Sequence, residues 1–129
     1  FSEATPHPVI HLMLSQHHVT HKGASMRLGA YDCVLKDGTK SFHAYGEGNV
    51  SERHRHRFEV NNAYRDQLEN AGMIISGASP DNELVEMVEI ADHPWFVATQ
   101  AHPEFKSRVA RTHPLFKDFV KASLHFKNQ

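Results

Sequence analysis

A single cysteine, Cys33, serves all 129 residues, so no intrachain disulfide can form, and the chain suits a reducing cytoplasm. No apolar run approaches the ~20 residues of a membrane span, and no charged-then-apolar leader is present. An excess of either charge is lacking too. Fourteen Lys and Arg face fifteen Asp and Glu, for a formal net charge of −1. That balance argues against binding to nucleic acid or to a membrane surface. Repeats and low-complexity tracts are absent. So is an initiator Met: Phe1-Ser2-Glu3-Ala4-Thr5-Pro6 reads like the interior of something longer, and the length suits one domain or part of one.

What is abundant is histidine, at 12 residues; protonating all of them would move the formal charge from −1 to +11. A fold that buries several of them would lose stability in mild acid. Hydrophobic residues make up 40%, enough for a packed core.

The pattern along the chain is mixed α/β, rich in strands and short of helices. His7 to Met13 reads as a turn with an apolar anchor, and Gln16 to Ser25 as loop. Arg27 to Leu35 is a strand, Lys36-Asp37-Gly38-Thr39 a hairpin turn, and Lys40 to Tyr45 the return strand. A loop follows over 46–49, then a short strand from His56 to Val60. Asn61 caps a helix through Ala71, which Gly72 stops. Met73 to Ser76 is a strand, 79–82 a turn, and Leu84 to Ile90 a strand covered on both faces. The continuous apolar run Trp95 to Thr99 predicts a central strand. Leu115 to Phe126 carries apolar residues at helical spacing. Too few βαβ units are present for a self-sufficient doubly wound domain, which points to part of the sheet lying outside the chain.

Two segments carry chemistry. Gln100-Ala101-His102-Pro103-Glu104-Phe105 follows the last strand, where functional groups gather in open α/β sheets. Pro103 biases His102 towards an extended backbone, so His102 and Glu104 point the same way. An imidazole there can take a proton from a thiol, and a carboxylate behind it fixes the tautomer. Read from spacing alone, an ordinary strand-end His with a turn-capping Glu is the favoured reading.

The second segment, Arg53-His54-Arg55-His56-Arg57, places three guanidiniums in five residues. On an extended backbone the arginines share one face and the histidines the other. The arginines could clamp a small carboxylate or phosphate, contact nucleic acid, or simply charge a strand edge. His54 and His56 could join His17, His18 or His21 around a metal, although no complete ligand set is specified, and no metal site is assigned. Cys33 lies within a strand with no sign of an activating neighbour, and reads as a buried, inert thiol.

Taken in order, several runs resemble the C-terminal part of CTP synthases. These are Thr5-Pro6-His7-Pro8-Val9-Ile10, Met26-Arg27-Leu28-Gly29, the run from Glu52 to Asn61, Leu84-Val85-Glu86, Asp92 to Val97, and His102-Pro103-Glu104-Phe105. The His-Pro-Glu motif is shared with class I glutamine amidotransferases generally. The resemblance implies part of a flavodoxin-like three-layer α/β/α domain with a mixed sheet. It also implies an enzyme that aminates UTP to CTP using ATP, with ammonia drawn from glutamine. His102 would then be general base and acid, Glu104 its orienter, and Arg57 the clamp on the glutamine carboxylate, helped by the Phe58 backbone. Ser25 and Arg27 would lie in the segment linked to activation by GTP. Mg²⁺ would accompany ATP and UTP in a separate synthetase domain, with no cofactor held by this chain. The partners implied are glutamine, that synthetase domain, the nucleophile-bearing part of the amidotransferase domain, and further copies in a homotetramer.

The sequence departs from the family in places. The Gly-x-Cys-x-Gly elbow bearing the nucleophile, and the oxyanion-hole glycines, are not in the chain, and Cys33 does not match the elbow. Gly23-Ala24-Ser25 replaces the usual Gly-Gly-Thr, and Ala101 an aromatic. The chain by itself is therefore expected to be inactive towards glutamine and to leave a strand edge and an apolar face uncovered. A stand-alone, non-catalytic binding or regulatory module is the alternative.

Overall fold

A computed structural model describes residues 4–12 and 26–128. Ser25, the loop expected over 16–25, and His17, His18 and His21 lie outside the described residues. The elements are β1 (Ile10–Leu12), β2 (Arg27–Leu35), α1 (Lys40–Tyr45), β3 (Asn49–His56), β4 (Phe58–Val60), α2 (Arg65–Asn70), β5 (Met73–Ala78), β6 (Val85–Ile90), β7 (Val97–Thr99) and α3 (Pro114–Lys127). Short 3₁₀ turns cover Asn62–Tyr64 and Pro103–Phe105. No helix among the described residues is long and apolar enough to cross a membrane.

Five strands form one sheet in the order β3-β2-β5-β6-β7, and β1 pairs with β4 in a second ladder. Every ladder among these strands is antiparallel, so the parallel part of a mixed sheet is not among them. β2 and β5 touch only at Val34↔Ala78 and Leu35↔Gly77 and then diverge. The opposite edges of the sheet meet again beyond β7. His54 in β3 bridges Ala101, and the His102 amide donates to the Arg53 carbonyl at 2.8 Å. The strands are thereby linked into a ring at this end.

The core lies between the sheet and the helices α1 and α3. Cys33, Leu35, Val50, Met87 and Leu115 are buried there, with Phe42, Tyr45, Trp95 and Val97 packed around them. Gly77 is the close-approach point, since a Cβ at that position would sit 2.8 Å from Cys33 Sγ. The outer side of α3 keeps Phe119, Val120, Leu124 and Phe126 exposed, and Leu28 and Val34 of β2 are exposed as well.

Several sequence expectations are met. β2 spans the expected residues, β6 is buried on both faces, and α3 runs where the apolar spacing put it. Others need correction. Lys40–Tyr45 is a helix, not the return strand of a hairpin. Thr39 caps it by accepting from the Phe42 amide, and the Glu89 carboxylate accepts from the Lys40 and Ser41 amides at 2.9 and 3.1 Å. Four amides at a helix start need acceptors, and here a residue remote in sequence supplies two. Gly46, at φ 74°, closes the helix.

The strand after this helix begins at Asn49, earlier than expected, and breaks at Arg57 before β4. The helix expected over 62–71 is split into a 3₁₀ turn and α2. Asn61 caps the turn through the Ala63 amide, and Gly72 follows α2 with φ 95°. Trp95 belongs to a turn in which His93 Nδ1 accepts from its amide, and Phe96 follows it just outside the strand. β7 is thus three residues long and pairs only with β6, at the edge of the five-stranded order instead of its centre.

Candidate active site

The 3₁₀ turn that starts at Pro103 folds the backbone back so that His102 Nδ1 lies 2.7 Å from Glu104 Oε1. The pair forms as expected, though through a turn instead of an extended strand end. A carboxylate can only accept, so His102 carries its proton on Nδ1 and Nε2 keeps a lone pair. The hydrogen bond to His102 holds the Glu104 carboxyl below the usual carboxylate range. The imidazole also stacks on Phe105, with ring centroids 5.2 Å apart. Both side chains stay reachable: His102 is 36% exposed and Glu104 53%. The arrangement is an oriented imidazole with an accessible basic nitrogen, suited to accepting a proton from a neighbouring nucleophile.

The arginine run lies directly beside it. Through the His54↔Ala101 bridge and the bond from His102 to Arg53, His102 is tied to β3 by backbone. Arg53 and Arg55 face outward and His54 is buried, as alternation requires. Arg57 departs from the expected common face because it sits at the bend between β3 and β4, half-buried, and Phe58 opens β4. The bend thus sets Arg57 apart from the other two arginines.

Arg27, which begins β2, stands opposite His56 in the β2–β3 register. It is buried, with Nη1 2.5 Å from Glu86 Oε1 and its guanidinium 4.3 Å above the Tyr31 ring. Arg27 and Glu86 form a close, buried ion pair. Burial raises the Glu86 carboxyl above its ordinary range, against the pull of Arg27. His54 Nε2 faces the other Glu86 oxygen at 3.5 Å. Burial, with Arg27 and His56 adding to it, lowers His54 to about 4, so the ring is neutral at physiological pH.

His54, His56 and Glu86 have ligand atoms within 4.8 Å of one another. A cation held there would sit beside the Arg27 guanidinium and would displace the proton that joins His54 Nδ1 to His56 Nε2 at 2.9 Å. His54 and His56 are better described as a hydrogen-bonded pair packed against Glu86 than as part of a metal centre.

Cys33 is 1% exposed, and burial pushes its thiol up to about 12. It is a core residue and not a nucleophile. A cleft of about 480 Å³ lies between the diverging β2 and β5, lined by residues that include Arg65 and Glu69, and holds none of the site residues.

Sequence reasoning missed three contributors. Gln100 reaches the Phe58 carbonyl, Glu86 backs the histidines, and His113 meets Glu52. A carboxylate in the middle of an apolar strand was the available signal for Glu86; the other two depend on long-range contact.

The family model "Glutamine amidotransferase class-I" matches residues 3–122. The chain is 58% identical over 123 residues to a CTP synthase of Moorella thermoacetica, covering 95% of this chain and 23% of that protein. It is 56% identical over 127 residues to one of Methanosphaera stadtmanae, covering 98% and 24%. The chain thus spans about a quarter of the length of the curated relatives it matches. Among solved structures, the glutaminase domain of Trypanosoma brucei CTPS with bound acivicin superposes with a TM-score of 0.88 at 34% identity, over 97% of this chain and 49% of that one. With a family model matched along nearly its whole length and an oriented His–Glu pair beside an arginine bend, the chain belongs to the class I glutamine amidotransferases.

Proposed function

We propose that this chain is the part of a CTP-forming enzyme's amidotransferase domain that carries the base, its orienting acid and the substrate clamp. The activity is hydrolysis of glutamine, which supplies ammonia for the ATP-dependent amination of UTP. The observation that carries this reading is the 2.7 Å bond between His102 Nδ1 and Glu104, on a segment fastened to the arginine-bearing strand.

In the mechanism His102 Nε2 takes the proton of a cysteine thiol supplied by another part of the domain. The thiolate attacks the amide carbon, and His102 returns the proton to the leaving ammonia. Water, deprotonated by His102, then cleaves the acyl-cysteine to release glutamate and restore the thiol. Glu104 stabilises the imidazolium while it exists. Arg57 fixes the substrate's α-carboxylate through its planar guanidinium, and the Phe58 backbone assists. Mg²⁺ belongs with ATP and UTP in the synthetase domain. The nitrogen-rich His54–His56–Glu86 cluster does not suit that ion, which prefers oxygen ligands. GTP is the activator, acting near Ser25 and Arg27. Because Arg27 is turned inward, it would respond through its packing against Glu86 and Tyr31 instead of by contact with nucleotide. The complete enzyme is a cytoplasmic homotetramer in this reading.

The test is a pair of substitutions in the complete enzyme. Arg57→Ala should weaken use of glutamine, and His102→Ala should abolish it, while CTP formation from free ammonia persists in both. Equal loss with ammonia would make these residues structural and sink the reading.

A further inference from the structure

The Phe58 carbonyl receives two side-chain donors. His56 Nδ1 lies 2.9 Å from it and Gln100 Nε2 3.3 Å. A carbonyl only accepts, so His56 carries its proton on Nδ1 and its Nε2 holds a lone pair. That lone pair takes the proton of His54 Nδ1 at 2.9 Å. The proton positions along the pair of imidazoles are therefore fixed by the Phe58 peptide. Only one orientation of the Gln100 amide puts a donor against the same oxygen. His56 belongs to the strand that ends at the Arg57 bend, whereas Gln100 lies two residues before His102. One peptide oxygen thus joins the two segments.

We propose that His56 and Gln100 are positioning residues that pin the Phe58 peptide and so set the Arg57 clamp relative to the His102 base. This rests on the glutamine-clamp reading above and deepens it. Two features set the arrangement apart from ordinary scaffolding. Gln100 leaves its own Oε1 buried without a hydrogen bond while its Nε2 serves the Phe58 carbonyl, a cost that an apolar residue of similar volume would not carry. The donors also converge on the carbonyl of the residue that directly follows Arg57.

The experiment measures glutamine-dependent and ammonia-dependent CTP formation by the complete enzyme carrying His56→Leu, His56→Asn, Gln100→Glu or Arg57→Ala. The Asn amide nitrogen stands where Nδ1 stood, and Glu is the shape of Gln without the donor. Loss of one hydrogen bond is worth about tenfold. His56→Leu and Gln100→Glu should each raise KM for glutamine by about that factor, with kcat within about threefold and the ammonia-dependent rate unchanged. His56→Asn should restore KM to near the wild-type value.

An unchanged KM in Gln100→Glu overturns the proposal, even if His56→Leu fails to fold. So does His56→Asn behaving like His56→Leu, because packing and not the donor would then matter. Stoichiometric zinc in the wild-type enzyme, lost in His56→Asn, would overturn it as well. If Arg57→Ala leaves KM for glutamine unchanged, the clamp reading itself falls. If only Arg57→Ala raises it, the clamp stands and the positioning role is wrong.

Discussion

Glu52 accepts a hydrogen bond from His113 Nε2 at 2.9 Å, across 61 residues of sequence and within the protein interior. The Leu115 amide donates to Nδ1 of the same ring, so His113 caps α3 with one nitrogen and reaches β3 with the other. Tyr45 of α1 adds a second hydrogen bond to the carboxylate at 3.1 Å. One buried carboxylate therefore ties both helices to the sheet.

Burial alone would raise the Glu52 pKa, but the bonds from His113 and Tyr45 and the nearby Lys106 outweigh it and the net shift is downward. A lowered folded-state pKa gives stability that is present above the ordinary carboxylate value of 4.5 and lost as pH falls through the folded value. Glu52→Gln should remove this acid-sensitive part. Its denaturant stability should approach that of wild type as pH drops below 4.5, whereas Glu52→Leu should cost about 1–3 kcal/mol at neutral pH. Parallel pH profiles for wild type and Glu52→Gln would refute the assignment.

Glu104→Gln keeps an acceptor for His102 Nδ1 but removes the charge that stabilises the imidazolium. Glutaminase activity of the complete enzyme should fall by about 10²–10⁴-fold, by analogy with other oriented histidines, while ammonia-dependent synthesis is retained. A loss of less than about threefold would mean that the carboxylate only caps the turn.

Cys33 should resist alkylation at pH 8 in the folded protein and react fully once denatured, since its thiol is buried and raised to about 12. A raised thiol pKa gives stability that is complete below the ordinary value of 9 and declines as pH rises towards 12. Cys33→Ala should cost ~1 kcal/mol through lost core contacts. It should leave glutaminase activity of the complete enzyme intact. Loss of that activity with the fold preserved would contradict the inert assignment.

Glu89→Ala should destabilise α1 by about 1–2 kcal/mol, because the Lys40 and Ser41 amides and the Ser41 hydroxyl lose their acceptor. Amide exchange at Lys40 and Ser41 should accelerate more than at the β6 amides. Uniform acceleration would indicate global loosening instead.

Local chemistry made part of this legible. The alternation of Arg27 to Leu35 and the helical spacing of Leu115 to Phe126 are self-contained signals, and His102-Pro103-Glu104 needs only three residues to form its bond. Lys40–Tyr45 was misread because Asp37-Gly38 is a strong hairpin signal, and the acceptor that favours helix comes from Glu89 on β6. Trp95 and Phe96 looked like strand because apolar runs do not reveal a turn capped by His93. The pairing of His54 with His56, and of both with Phe58, could not be read because proton positions depend on a bend that the sequence does not announce.

The bridge between His54 and Ala101 changes how misplacement spreads through the molecule. The long stretch of chain from β3 to His102 could accumulate small errors in every loop it crosses. Fastening the end of that stretch to Arg53 by one backbone hydrogen bond cancels the accumulation. The spacing of His102 and Arg57 is then referred to a few residues of a single strand. Variation in the length of the 79–84 or 91–96 turns can drift without being felt where the proton moves.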